Sequence, residues 1–231
     1  MPENHTLLPS LAVLGGTGEQ GRGLALRWSA AGYQVTIGSR SLDRARAEVE
    51  KLNKLHARVN LAAADNKSAA TSSDIVVLTV PFKFQQSTVE DISLALVGKI
   101  LIDVTVPLVP PKVSRVQLPE MGSAVVNVQR LLGDKVRVVS AFQNVSAHHL
   151  NNLEHKIHCD VLVCGDDIGA RDKTIELVEA AGMRGIHGGP LVNSLVAEAL
   201  TSVLIGINKR YKIPGAGIII TGLPGEPDIV N

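Results

Sequence analysis

Short apolar runs alternate with longer amphipathic stretches along most of the chain. Leu11-Ala12-Val13-Leu14 reads as a buried strand. Arg22 to Ala31 has helical character and stops at Gly32, a C-terminal capping glycine. Gln34 to Ile37 is the next strand, and Ser41 is a good N-cap for a charged helix from Leu42 to about His56. A weaker strand lies near Val59 to Ala62. Ile75 to Val80, Lys99 to Val104 and Val136 to Ala141 are nearly uninterrupted apolar runs, the pattern of parallel strands covered on both faces. Such alternation predicts an α/β fold of Rossmann type: a doubly wound, mostly parallel sheet.

The later chain adds to this plan. Asp160 to Cys164 is a strand, Ala170 to Ala181 a helix and Met183 to Ile186 a short strand. Gly188-Gly189-Pro190 is the clearest break in the chain, and a long helical stretch follows from Leu191 to about Tyr211. We therefore expect one domain over 1–189, with extra C-terminal strands, and a small helical and tail region over 190–231. Within the long helix, Asn193, Ser194 and Glu198 share a face and either line a site or satisfy a subunit interface. Polar residues scattered along this apolar helix make a homodimer the expected assembly.

Composition narrows the class of ligand. Basic residues number 23 and acidic residues 22, so no global field draws nucleic acid or a membrane surface, and an anionic ligand must be held locally. Aromatic residues are only 3%, so the core must be aliphatic. Met1 to Pro9 does not read as a signal peptide, and no segment reads as a membrane span. The two cysteines, Cys159 and Cys164, do not form a disulfide framework, and a cytoplasmic location is expected.

Local chemistry is concentrated in the first fifty residues. Gly16-Thr17-Gly18-Glu19-Gln20-Gly21 fits G-x-G-x-x-G, follows an apolar strand and opens a helix. Gly16 allows the tight turn, Gly18 the approach of a pyrophosphate, and Gly21 close packing of helix on strand. The second strand ends in Gly38-Ser39-Arg40, where an NAD site would place a carboxylate for the ribose 2′-hydroxyl. Ser39, Arg40 and Arg44 instead offer donors to a 2′-phosphate. Charge-assisted hydrogen bonds are worth about 1.5–3 kcal/mol each, so two would favour NADP(H) by roughly two to four orders of magnitude before desolvation.

These motifs, with Leu14-Gly15-Gly16-Thr17-Gly18, Val77-Leu78-Thr79-Val80-Pro81 and Val139-Ser140-Ala141-Phe142, resemble the NADPH-dependent coenzyme F420 reductases. So do Val163-Cys164-Gly165-Asp166-Asp167 and Gly189-Pro190-Leu191-Val192-Asn193-Ser194, and the resemblance runs from about Leu11 to the Gly-rich tail. It implies direct hydride transfer between NADP(H) and the 8-hydroxy-5-deazaflavin of F420. It implies contacts to NADP from Thr17, Gly18, Glu19 and Gln20 at the pyrophosphate, and from Phe82, Val106 and Ala147 toward the nicotinamide. By the same resemblance the tail near Ala216 and Gly217 approaches the deazaflavin.

Two positions depart from the family pattern: a His and, three residues on, a Pro are replaced by Gln143 and Ser146. They motivate alternative acceptors, namely a flavin, a ferric chelate or a small imine or ketone. A non-catalytic NADPH-sensing module is a further alternative. Hydride transfer between stacked rings needs contact, facial orientation and exclusion of water rather than an acid–base pair, so no catalytic side chain is assigned. Val80, Pro81 and Val106 suit the walls of a flat ring site.

Histidines and cysteines crowd the stretch His148, His149, His155, His158, Cys159 and Cys164. A zinc set is not expected, because Cys159 and Cys164 flank one strand with side chains on opposite faces. Cys164 reads as a buried small hydrophobe, and His148 and His149 either donate a proton to the deazaflavin ring or form a surface pair. Asp166-Asp167 reads as a turn and helix cap.

Overall fold

The aliphatic runs assemble into one eight-stranded sheet. The computed structural model describes residues 8–223; the ends of the two expected regions, 1–7 and 224–231, lie outside it. Strands β1 (Leu11–Leu14), β2 (Val35–Ser39) and β3 (Leu61–Asp65) form one half. Strands β4 (Ile75–Leu78), β5 (Ile100–Asp103) and β6 (Arg137–Ser140) form the other, and β7 (Asp160–Gly165) and β8 (Arg184–Gly189) extend it. The order is β3-β2-β1-β4-β5-β6-β7-β8. All neighbours are parallel except β6 and β7, which meet antiparallel through Val139↔Gly165 and Ser140↔Cys164. The expected strand near Val59 begins at Leu61 and runs on to Asp65.

Helices cover both faces. On one, α1 (Glu19–Ala30), α2 (Leu42–Leu55) and α7 (Ile168–Ala180) bury Leu24, Trp28, Val49 and Leu177 against Val13, Ile37 and Val77. On the other, α3 (Asn66–Ser72), α4 (Gln85–Ile92) and α5 (Ala124–Leu132) bury Ala69, Val89 and Val125 against Leu14, Leu78 and Val138. Alternation along each strand thus feeds two separate cores. Ser41 caps α2 by accepting from Arg44 N, Asp167 caps α7 by accepting from Ala170 N, and Gly32 takes φ +94° after α1. A short helix, α6 (Ala147–Leu150), packs on α1, and α8 (Ser194–Tyr211) lies against α5 and β7.

The segment Leu191–Tyr211 departs from one expectation. With 21 residues and a mean hydropathy of 1.5 over an 18-residue window, it is long and apolar enough to cross a membrane by length and composition. Its packed side is partly polar: Ser194, Glu198 and Ser202 are buried beside Leu191, Ala197 and Leu204, while Val192, Val196 and Val203 are exposed. Glu198 Oε1 accepts from Ser123 Oγ at 2.6 Å, Oε2 accepts from Ala124 N at 2.8 Å, and Ser194 Oγ lies 2.8 Å from Ser123 Oγ. Ser194 and Glu198 therefore neither line the cleft described below nor face outward. Glu198 caps the N-terminus of α5, whose first N–H groups would otherwise be buried without acceptors, and Ser194 braces Ser123, the N-cap residue.

Candidate functional site

At a doubly wound sheet's reversal of strand order, the loops after neighbouring strands run apart and leave a crevice. Here β1 has β2 on one side and β4 on the other, and a cavity of about 1240 Å³ opens there. This exceeds the ~300–1,000 Å³ usual for a small-molecule pocket.

The glycine turn forms its floor. Gly15 has φ +81° and donates its N–H to Gly38 O at 3.0 Å. A Cβ on Gly16 would lie 2.9 Å from Val13 O, and one on Gly21 would strike Thr79 Oγ1 and sit 2.8 Å from Gly16 Cα. Gly18 is the N-cap of α1 with no capping side chain, so the helix start keeps open N–H groups for an anion. Thr17, Gly18, Glu19 and Gln20 line the cavity, whereas Gly16 and Gly21 shape the turn behind it. Gln20 does more than the motif suggests: its Nε2 donates to Phe142 O at 3.2 Å, tying the turn to the segment after β6.

At the end of β2, Ser39, Arg40 and Arg44 line the same cavity. Ser39 Oγ accepts from Ser41 N at 3.2 Å. The Arg40 guanidinium lies 4.2 Å from the Phe84 ring centroid, and the Lys83 ammonium 4.8 Å from the same ring. Arg40, Arg44 and Lys83 form no ion pair among the described residues. Three unpaired cations at one end of a cleft suit a dianion such as a phosphate monoester. Lys83, Phe84 and Asn66 were not anticipated from sequence; the basic residue directly after Pro81-Phe82 was the available signal.

The other end is apolar. Val80, Pro81 and Phe82 follow β4, Val104, Thr105 and Val106 follow β5, and Val145 and Thr201 close the far side. Phe142 adopts φ +70°, is fully buried, and meets Trp28 edge to face at 5.8 Å. Its left-handed backbone turns the chain sharply after β6. Gln143 lines the cavity: its Nε2 donates to Asp103 O at 2.8 Å, and its backbone carbonyl accepts from Thr201 Oγ1 at 2.7 Å. Asp103 is wholly buried, and that burial pushes its carboxyl pKa up against hydrogen bonds from Thr105 and Gln85.

Three expected residues lie away from this cleft. Ala147 opens α6 without lining it, and Ala216 and Gly217 line a second cavity of about 300 Å³. Ser146 also lines the second cavity, with its Oγ donating to Pro214 O at 3.2 Å. His149 is there too, its Nε2 3.2 Å from Gly215 O and its ring stacked on His155 at 4.4 Å. Cys159 and Cys164 are buried free thiols, and burial pushes Cys164 up to about 11.

With this geometry described, comparison with known proteins is informative. A family profile described as "NADP oxidoreductase coenzyme F420-dependent" matches residues 10–107. The F420-dependent NADP reductase of Methanocaldococcus jannaschii is 39% identical over 92% of this chain and 98% of its own length. That of Methanothermobacter marburgensis is 40% identical over 93% and 99%. The chain belongs to the F420-dependent NADP reductase family. A solved structure from Arthrobacter sp. FB24, 24% identical, covers 93% of this chain and 100% of its own with a TM-score of 0.77, and so shares the fold.

Proposed function

We propose that the protein transfers a hydride between NADP(H) and the deazaflavin coenzyme F420. One observation carries the reading: a single cleft joins an uncapped glycine turn and an unpaired cation cluster to an apolar end. Near full-length similarity to F420-dependent NADP reductases supports it.

In this reading Gly16, Thr17, Gly18, Glu19, Gln20 and Gly21 form the pyrophosphate turn. Ser39, Arg40 and Arg44 hold the 2′-phosphate, with Lys83 beside them. Phe82 and Val106 flank the nicotinamide, and Ala147, Ala216 and Gly217 lie on the deazaflavin side. Val80, Pro81 and Val145 exclude water from the reacting carbons, and Thr201 and Gln143 fix the far wall through their hydrogen bond. NADPH supplies the hydride when bound, and a solvent proton completes reduction of the deazaflavin.

Mixing purified protein with NADPH and oxidised F420, and following the deazaflavin's visible absorbance, tests the assignment. Steady loss of absorbance is expected; intact NADPH binding without turnover refutes it. Gln143, where the family pattern has His, favours running a flavin, a ferric chelate and a cyclic imine beside F420.

The region 190–231 acts in this reading as a small C-terminal unit that closes the cleft through Thr201. The protein works as a cytoplasmic homodimer joined through α8. Val196 is 61% exposed and Val203 48%, on a helix whose buried side carries Ser194, Glu198 and Ser202 beside Ala197 and Leu204. An exposed apolar face of this kind is stabilised by a second copy of the same face.

A further inference from the structure

Phe142 and Gln143 form a corner of the cleft's apolar end, and two distant elements hold their adjacent carbonyls. Gln20, at the start of α1, donates Nε2 to Phe142 O at 3.2 Å. Thr201, on α8, donates Oγ1 to Gln143 O at 2.7 Å. Gln143 is 2% exposed, and its Nε2 is fixed on Asp103 O. Its Oε1 meets no donor among the described residues. The backbone bond from Thr201 is therefore one of two that hold this residue, and it is the one that comes from α8.

The Thr201 hydroxyl has one proton and two acceptors. Besides Gln143 O, it lies 3.1 Å from Ala197 O in its own helix. A helical threonine can always bond back to the preceding turn, so Thr201 reaches Gln143 only while α8 is seated at the right depth. Glu198, about one turn before Thr201, sets that seat. It is 1% exposed. Its Oε1 accepts from Ser123 Oγ at 2.6 Å and Val125 N at 3.3 Å, and its Oε2 accepts from Ala124 N at 2.8 Å. An amide carries only one accepting oxygen. Whichever way a glutamine turned here, Ala124 N or Val125 N would lose its acceptor.

We infer that Glu198 is a positioning residue for the hydride transfer: by locking α8 onto α5 it holds Thr201 against Gln143 and so sets the far wall of the cleft. The inference rests on the hydride-transfer reading above. Glu198 does not itself line the cleft, so its effect passes through Thr201 and Gln143, which do. Reacting atoms must be held about 3–3.5 Å apart, so a small shift of the wall that places the acceptor ring slows transfer. Trp28 reports the same link without any ligand. It is the chain's single tryptophan, and its ring meets Phe142, the residue before Gln143, edge to face at 5.8 Å.

A double-mutant cycle on the full-length protein tests this, with Glu198→Gln, Thr201→Val, their combination, and Thr201→Ser, which keeps the hydroxyl. Each variant is assayed with NADPH and F420, titrated with NADPH, and examined by Trp28 emission. Glu198→Gln and Thr201→Val should each lower kcat/KM for F420 by about 3- to 10-fold, the size of one net hydrogen bond. NADPH affinity should move by less than about 3-fold. Trp28 emission should change in the same direction in both. The double variant should match the more affected single variant, and Thr201→Ser should stay near wild type. Ser123→Ala removes one of the groups donating to Glu198 and carries the cycle should Glu198→Gln not fold. Three results overturn the inference and leave the hydride-transfer reading standing: losses that multiply in the double variant, a Thr201→Ser loss equal to that of Thr201→Val, or a Glu198→Gln protein of lowered thermal stability with unchanged kcat/KM and Trp28 emission. If the wild type reduces no F420, that reading falls. The Trp28 cycle then decides the link from Glu198 to Gln143 by itself, and emission changes that add in the double variant overturn it.

Discussion

The guanidinium of Arg40 rests 4.2 Å from the ring centroid of Phe84, so one end of the cleft joins a loop after β2 to a loop after β4. The contact holds a long cationic side chain over the cavity without pairing it to a carboxylate. Its charge remains available to an incoming phosphate.

Arg40→Ala should therefore weaken NADPH binding by about 10- to 100-fold, the loss of one or two charge-assisted hydrogen bonds. NADH, which lacks the 2′-phosphate, should lose less than about 3-fold. Fluorescence titration with both nucleotides measures this. Equal losses would contradict the assignment of Ser39, Arg40 and Arg44 to the phosphate.

Gly21→Ala places a methyl group against Thr79 Oγ1 and 2.8 Å from Gly16 Cα. Thr79 Oγ1 is held by donating to Leu14 O at 2.8 Å, so it cannot yield cheaply. We expect a stability loss of about 1–3 kcal/mol and weaker binding of NADPH and NADH alike. Thermal unfolding and the same titrations check both effects.

Asp103 provides a pH prediction. Burial raises its folded pKa above the unfolded value, so the folded state binds the proton more tightly. The stabilisation is fully present below the unfolded pKa and is lost as pH rises through the raised folded pKa. Asp103→Asn removes this titration, and Gln85 can turn its amide to keep their hydrogen bond. Urea midpoints at pH 5 and pH 8 should differ less in the variant than in the wild type. An unchanged difference would show that Asp103 ionises as freely as in the unfolded chain.

Val196→Asp tests the proposed dimer. Val196 is exposed on α8, so a monomer tolerates the change with little loss of stability, within about 0.5 kcal/mol. A charge buried in a symmetric interface appears twice, and the dissociation constant should rise at least about 10-fold. Sedimentation across a dilution series reads the shift, and an unchanged mass distribution rejects α8 as the interface.

Sequence alone determined the features that depend on neighbours along the chain. The turn from Gly16 to Gly21, the basic end of β2 and the caps at Ser41 and Asp167 are local, because backbone conformation and capping involve residues a few positions apart. The apolar strands were legible for the same reason, although β3 began two residues later than its apolar pattern suggested. Tertiary structure decided what depends on contacts between distant segments. Glu198 meets Ser123 and Ala124 more than seventy positions away, and no local pattern distinguishes a carboxylate that caps a distant helix from one that lines a site. Lys83 joins Arg40 only through Phe84, and Gln20 reaches Phe142 only once β1 and β6 lie in one sheet. Ala216 and Gly217 were separated from the main cleft because the tail is held by Asn208, Ser146 and His149, partners that the sequence of the tail does not reveal.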